Sequence, residues 1–161
     1  MLSKDTGLEA RDLPFMKAAL ALAKTAGELG EIPVGAVLVK GDQILSSAHN
    51  RRALDHSATA HAEILCIQQA CARLGGWRLE DCTLYVTLEP CPMWAGAMLN
   101  ARIGRLVYAL PDARSGCFGS VMQMDAFPFN HKPGITSGPL QDEVRELMQD
   151  FFRARRERKQ S

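Results

Sequence analysis

Thr59-Ala60-His61-Ala62-Glu63 and, further along, Thr87-Leu88-Glu89-Pro90-Cys91-Pro92-Met93-Trp94 establish what kind of chain this is. Each stretch runs from a polar or proline-marked turn into an apolar helical pattern, so each marks a helix N-terminus. His61 sits in the opening turn of one helix and Cys91 in that of the next. Free backbone N–H groups and the positive end of the helix dipole favour a thiolate there, so the Cys91 thiol is expected to have a lowered pKa. Imidazole and thiolate are zinc donors, and a hydrolytic zinc site takes three protein ligands and leaves the fourth position to water. Residues i and i+3 share a helix face, so the side chain at position 94 aims at the same space as Cys91. There the chain has Trp94, whose indole N–H can donate a hydrogen bond but cannot coordinate a cation. The predicted metal ligands are therefore His61 and Cys91 alone. His61 and Glu63 would diverge in mid-helix and converge only at a capped start, for which Thr59 is the expected cap. Glu63 is then placed to give and take protons as a general acid or base.

The rest of the chain is ordinary for a compact domain. Its 161 residues are 47% apolar and 23% charged, and no linker, repeat or low-complexity segment divides them, so residues 1–161 read as one domain. No apolar run approaches the roughly 20 residues that span a bilayer. The opening Met1-Leu2-Ser3-Lys4-Asp5 lacks the plan of a secretory signal, which makes the cytoplasm the expected compartment. Five cysteines without scaffold density fit a reducing compartment. Cys66, Cys71 and Cys82 read as plain core or surface thiols. His49, His56 and His131 read as loop histidines, although His49 adjoins Asn50 and could line a pocket. Cys117, within Ser115-Gly116-Cys117-Phe118-Gly119, is the one thiol whose loop could reach the site. The net charge of +1 hides an asymmetry: Arg153, Arg155, Arg156, Arg158 and Lys159 outweigh Glu157, leaving a tail of +4 on a body of −3. Such a tail suits an anionic partner such as nucleic acid, or simply the C-terminal end of a solvated helix.

Periodicity predicts the elements. Asp12 is expected to cap a first helix bearing Leu13, Met16, Leu20 and Ala23 and closed by Gly27 and Gly30. A hairpin follows, from Val34–Val39 through Gly41-Asp42 to Gln43–Ala48. A second helix over about 60–74 carries Ile64, Ile67, Cys71 and Leu74 as its apolar stripe and stops at Gly75-Gly76. Then come a strand over Thr83–Thr87, a helix from Pro90 to about Asn100 and a strand over Arg105–Ala109. A long loop over 111–133 leads to a last helix from Pro139 with Val144, Leu147, Phe151 and Phe152. A hairpin followed by strands alternating with helices is an α/β sandwich on a mixed sheet.

His-x-Glu followed by Pro-Cys-x-x-Cys is the signature of zinc-dependent nucleobase deaminases, matched here at every position but the last. With Ile32-Pro33-Val34-Gly35-Ala36-Val37, His49-Asn50-Arg51, Ala95-Gly96-Ala97-Met98, Gly119-Ser120 and Asp150-Phe151-Phe152-Arg153, the chain closely resembles the bacterial tRNA-specific adenosine deaminases of the cytidine deaminase-like superfamily. The resemblance implies a three-layer α/β/α fold with a mixed sheet of about five strands. It implies a homodimer that converts adenosine 34 to inosine in a tRNA anticodon stem-loop. By position, His61 and Cys91 match zinc ligands and Glu63 the catalytic proton shuttle. Asn50 matches a residue that hydrogen-bonds the base with the Ala62 backbone beside it, and Asp112 opens the loop that meets the nucleotide. The Phe151–Arg156 segment matches a helix near the anticodon loop.

Trp94 breaks that pattern. Losing a partner behind a zinc ligand already costs roughly 10–100-fold in affinity or activity, and losing a ligand should cost more. Zinc occupancy is therefore expected to be weak or absent and catalysis severely impaired. An inward indole also needs room, so the segment 88–98 is expected to loosen. The alternatives are an active enzyme with a rescued ligand set, a non-catalytic tRNA-binding or dimerisation partner, and a deaminase of free guanine or cytosine.

Overall fold

The computed structural model describes residues 7–160, so the Met1–Asp5 stretch lies outside the described residues. Five strands form one mixed sheet in the order β2-β1-β3-β4-β5: β1 Gly35–Lys40, β2 Gln43–His49, β3 Cys82–Leu88, β4 Arg105–Leu110 and β5 Gly134–Ser137. β1 runs antiparallel to both β2 and β3, and β3, β4 and β5 are mutually parallel. Among the described residues there are four α-helices: α1 Asp12–Glu28, α2 Ala62–Leu74, α3 Pro92–Asn100 and α4 Gln141–Gln160. The strand residues alternate between two cores, as the two-residue period of a strand requires. Ala36, Leu38, Leu84, Val86 and Leu106 pack with α2 and α3, while Val37, Val39, Tyr85, Val107 and Ala109 pack with α1 and α4. This is the expected three-layer α/β/α sandwich. Among the described residues no helix is long and apolar enough to cross a membrane.

The hairpin, β3, β4 and the long loop fall where periodicity places them. β5 was not marked beforehand: it is a four-residue edge strand with one buried side chain, too short for a pattern. The last helix starts at Gln141, after Leu140 has turned through a left-handed φ of 60°. Three expectations about α1 and α2 need correction. Asp12 does not cap α1; it is the first helical residue and its side chain is buried. Leu13 is 43% exposed and no part of the core. Thr59 does not cap α2, which begins at Ala62 with His61 as its N-cap in an extended conformation. Of the stripe expected on α2, Ile67 is buried and Ile64 and Cys71 pack against the core. Ala62, Glu63, Cys66, Ile67 and Ala70 face inward, and Leu74 is exposed. Small side chains let α2 lie close to the sheet, and packing distance overrode the hydrophobicity of the larger ones.

Asp12 is held from three elements. It accepts hydrogen bonds from the Tyr85 hydroxyl at 2.7 Å, from Arg105 at 2.7 and 2.8 Å, and from the Glu9 N–H at 2.7 Å. Burial alone would raise its pKa, but these donors together hold it down to about 2. α1 also touches β1 directly, since a Cβ on Gly35 would run into the Ala19 carbonyl and the Ala23 amide.

The unfolded carboxyl titrates near its ordinary value of 3.8. The bridge therefore contributes fully above about pH 4, and its contribution disappears as pH falls towards 2. At 1.36 kcal/mol per pH unit this amounts to about 2 kcal/mol. Urea titrations of the wild type should show that acid-side loss, and Asp12→Asn should flatten the stability profile between about pH 4 and pH 2.

Candidate active site

β3 and β4 are parallel neighbours, and the chain leaves both at the same sheet edge. Beyond that edge lies a cavity of about 140 Å³, the place where open α/β sheets bind ligands. Asn50, His61, Glu63, Cys91, Trp94 and Asp112 all line it. Thus six side chains singled out from sequence, spread over more than sixty positions, meet at one place. Ile32, Val34 and Leu88 supply apolar wall, and Arg52, Glu89 and Ser115 were not foreseen.

The two helix starts converge because His61 and Cys91 are both N-caps with extended backbones, φ −77°, ψ 147° and φ −76°, ψ 168°. Cys91 Sγ lies 3.9 Å from His61 Nδ1, and Glu63 Oε2 lies 4.0 Å from the same nitrogen. The start of α2 is fixed at long range. Asn50 Oδ1 accepts the Ala62 N–H at 3.1 Å, and Asn50 Nδ2 donates to the Ile32 carbonyl at 3.2 Å. Those two bonds set which end of the amide is which and leave one Nδ2 proton free to face the cavity. The Ala62 N–H is therefore beside Asn50, as expected, and already engaged by it.

Burial shapes the titrations. Glu63 is 2% exposed with Oε2 lacking any hydrogen-bond partner, and removal from water pushes its pKa up to about 8. At neutral pH it carries the proton that a general acid must give. Burial also lowers the His61 pKa, with Arg52 adding to the effect, which favours the neutral, ligating imidazole. The expected lowering at Cys91 does not occur. Burial raises its pKa, the N–H groups of Trp94 and Met93 only partly offset this, and Glu63 adds to the rise. Desolvation outweighs the helix end.

Trp94 points inward. It is 2% exposed, belongs to the α2–α3 core and forms part of the cavity wall beside Cys91. The backbone of α3 accommodates it without a break: the Ala95 N–H reaches the Cys91 carbonyl at 2.9 Å. Cys117 does not take over the missing coordination position. It is 1% exposed, outside the cavity lining, with its thiol donating to the Ser115 carbonyl at 3.5 Å. Among the described residues no three His, Cys, Asp or Glu side chains are grouped to hold a metal ion. The donor set present does not fit a three-ligand zinc centre. The remaining histidines are structural or peripheral: His49 Nδ1 pairs with the Asn50 carbonyl at 2.9 Å and His131 Nε2 with that of Ile103 at 2.6 Å.

Beside the cavity, and sharing Ile32, Asn50 and Arg52 with it, is a larger open cleft of about 430 Å³ that reaches His56 and Arg155. A groove of about 560 Å³ on the α4 side is lined by Arg114, Arg145, Arg153 and Arg156 around Phe152. The cations of the tail are exposed, and Arg153, Arg155 and Arg156 border these two open grooves. Of the unforeseen residues, Glu89 had a signal: a carboxylate at the end of an apolar strand, directly before Pro90-Cys91.

The family model for MafB19-like deaminases matches residues 11–156. A tRNA-specific adenosine deaminase of Bacillus subtilis (strain 168) is 45% identical over 152 residues, covering 94% of each chain. One from Haemophilus influenzae is 43% identical over 150 residues, 92% of this chain and 87% of that one. A solved structure from studies of A-to-I editing by tRNA:A34 deaminases at the wobble position superposes with a TM-score of 0.81 at 42% identity, covering 83% of this chain and 98% of that one. A guanine deaminase from Bacillus subtilis is similar over only 65% of this chain and 66% of its own, with 38% identity and a TM-score of 0.60. With agreement along nearly its whole length, the chain belongs to the tRNA-specific adenosine deaminases of the MafB19-like deaminase family.

Proposed function

We propose that this chain is the scaffold of a tRNA adenosine-34 to inosine deaminase whose zinc binding and catalysis are severely impaired by Trp94. One observation carries the reading: a buried indole forms the cavity wall beside His61 and Cys91, where the third donor should be. Metal affinity depends steeply on the number and type of ligands, and two donors 3.9 Å apart lack the set that structural and catalytic zinc sites use.

The rest of the cavity supports recognition of a nucleobase. An adenine flipped out of the anticodon loop would be read along its edge by the free Nδ2 proton of Asn50 and faced by the protonated Glu63 carboxyl. Asp112 and Ser115, which also line the cavity, would meet the nucleotide. Arg155 and Arg156 face grooves that suit a phosphodiester backbone. We further propose a homodimer acting in the cytoplasm, in keeping with bacterial relatives named for tRNA deamination. The rescued-ligand alternative is disfavoured by the position of Cys117.

Elemental analysis of the purified protein should find far less than one zinc per chain, with inosine formation on an anticodon stem-loop more than about 100-fold below that of the Trp94→Cys revertant. Near-stoichiometric zinc with turnover in the unaltered chain would refute impairment. A revertant that gains neither metal nor activity would place the defect elsewhere. Binding of the same RNA should weaken with salt. Changing Arg155 or Arg156 to Gln should reduce the slope of log Kd against log salt by about one, an unchanged slope excluding that residue from phosphate contact.

A further inference from the structure

One buried ionisable side chain at the cavity has no part in the chemistry above. Glu89 is 1% exposed, and no cation pairs with it among the described residues. Its carboxylate accepts the N–H of Asp112 at 3.1 Å, of Phe118 at 3.0 Å and of Ser120 at 3.2 Å, together with the Ser120 hydroxyl. All four donors come from the loop after β4. The adjoining Pro90 carbonyl accepts the Cys117 N–H at 2.8 Å. Gly116 lets the loop close down, since a Cβ there would collide with the Glu89 carboxylate and the Asp112 carbonyl.

Internal backbone bonds, such as Gly119 N–H to the Met122 carbonyl and Met124 N–H to the Cys117 carbonyl, shape this loop, and Cys117 and Phe118 tuck into the core. Its regular structure amounts to one isolated bridge, Phe118 to Gln123, and one 3-10 turn, Met124–Ala126. Val121 and Met122 are exposed. Yet it places Asp112 and Ser115 on the cavity wall, with the Asp112 carboxylate in turn accepting the Arg114 N–H at 3.0 Å and the Ser115 hydroxyl at 2.8 Å. What joins the loop to the end of β3 is the Glu89 carboxylate, and charge-assisted bonds to several backbone amides are strong anchors.

We propose that Glu89 is a positioning residue for nucleotide recognition: it locks the 112–120 loop onto the strand end that leads into Cys91, presenting Asp112 and Ser115 in the shape that receives the substrate. The proposal rests on reading the cavity as an RNA-base pocket. It also ties the loop to the start of α3, so that Cys91 and the substrate-facing wall move as one unit. Preorganisation of this kind shows in affinity, because a loop that must be ordered on binding costs binding free energy.

Glu89→Gln keeps the size of the side chain but turns an NH2 group towards backbone N–H donors, whichever way the amide lies. In the full chain, residue-resolved hydrogen exchange should then lose protection at Asp112, Phe118 and Ser120 while β1 and β3 keep theirs. Affinity for an anticodon stem-loop RNA should fall about tenfold, the loss expected when one charge-assisted bond is replaced by an unpaired donor. Ser120→Ala removes only the hydroxyl donor and should give a smaller loss in the same loop, about threefold in affinity, which keeps the test valid should Glu89→Gln not fold. Unchanged loop protection would overturn the anchor. Lost loop protection with wild-type affinity would overturn its role in recognition, and protection lost equally across the sheet would make Glu89 a general stability residue. If the wild type itself binds no such RNA, the functional reading fails, whereas the exchange pattern reports separately on the anchor.

Discussion

The side-chain amide of Asn50 is the tie on which the site depends. By holding the Ile32 carbonyl at one end and the Ala62 N–H at the other, it joins the approach to β1, the loop after β2 and the first turn of α2. It supplies the cap that no neighbouring residue provides, which is why α2 begins after His61 and not at Thr59. With the helix start fixed, His61 stays extended and Glu63 enters the buried face of α2 within reach of the same imidazole. The divergence expected of two residues so spaced on a helix is avoided because only one of them is helical.

Much of this was legible in the sequence, and the failures share a cause. The buried run of β1, the hairpin turn and the Gly75 stop depend on neighbours in the chain, and they fall where local rules place them. The convergence of Asn50, His61, Glu63, Cys91 and Asp112 was readable only through the combined motifs. Asp12, Thr59 and the thiol of Cys91 were misjudged because their partners come from distant segments or from burial: Tyr85 and Arg105 for Asp12, Asn50 for the cap, desolvation for the thiol. β5 lacked any pattern, since four residues at a sheet edge show too little alternation to read. Glu89 carried a signal in its polarity but none in its spacing, because its four donors lie on a loop without periodicity.

Trp94 illustrates how packing and chemistry can separate. As a core residue it is well placed: it adds a large apolar surface to the α2–α3 face and leaves the helix backbone unbroken. As a neighbour of His61 and Cys91 it offers no lone pair for a cation. A side chain can thus satisfy every steric and hydrophobic requirement of its position while withholding the electronic one.

The sheet divides its apolar interior into two cores that share a backbone but few side chains, one under α2 and α3 and one under α1 and α4. Perturbations in regions without common partners combine nearly additively. A substitution under α2 and α3 and one under α1 and α4 should therefore each cost the fold its own increment of stability, with little coupling between them.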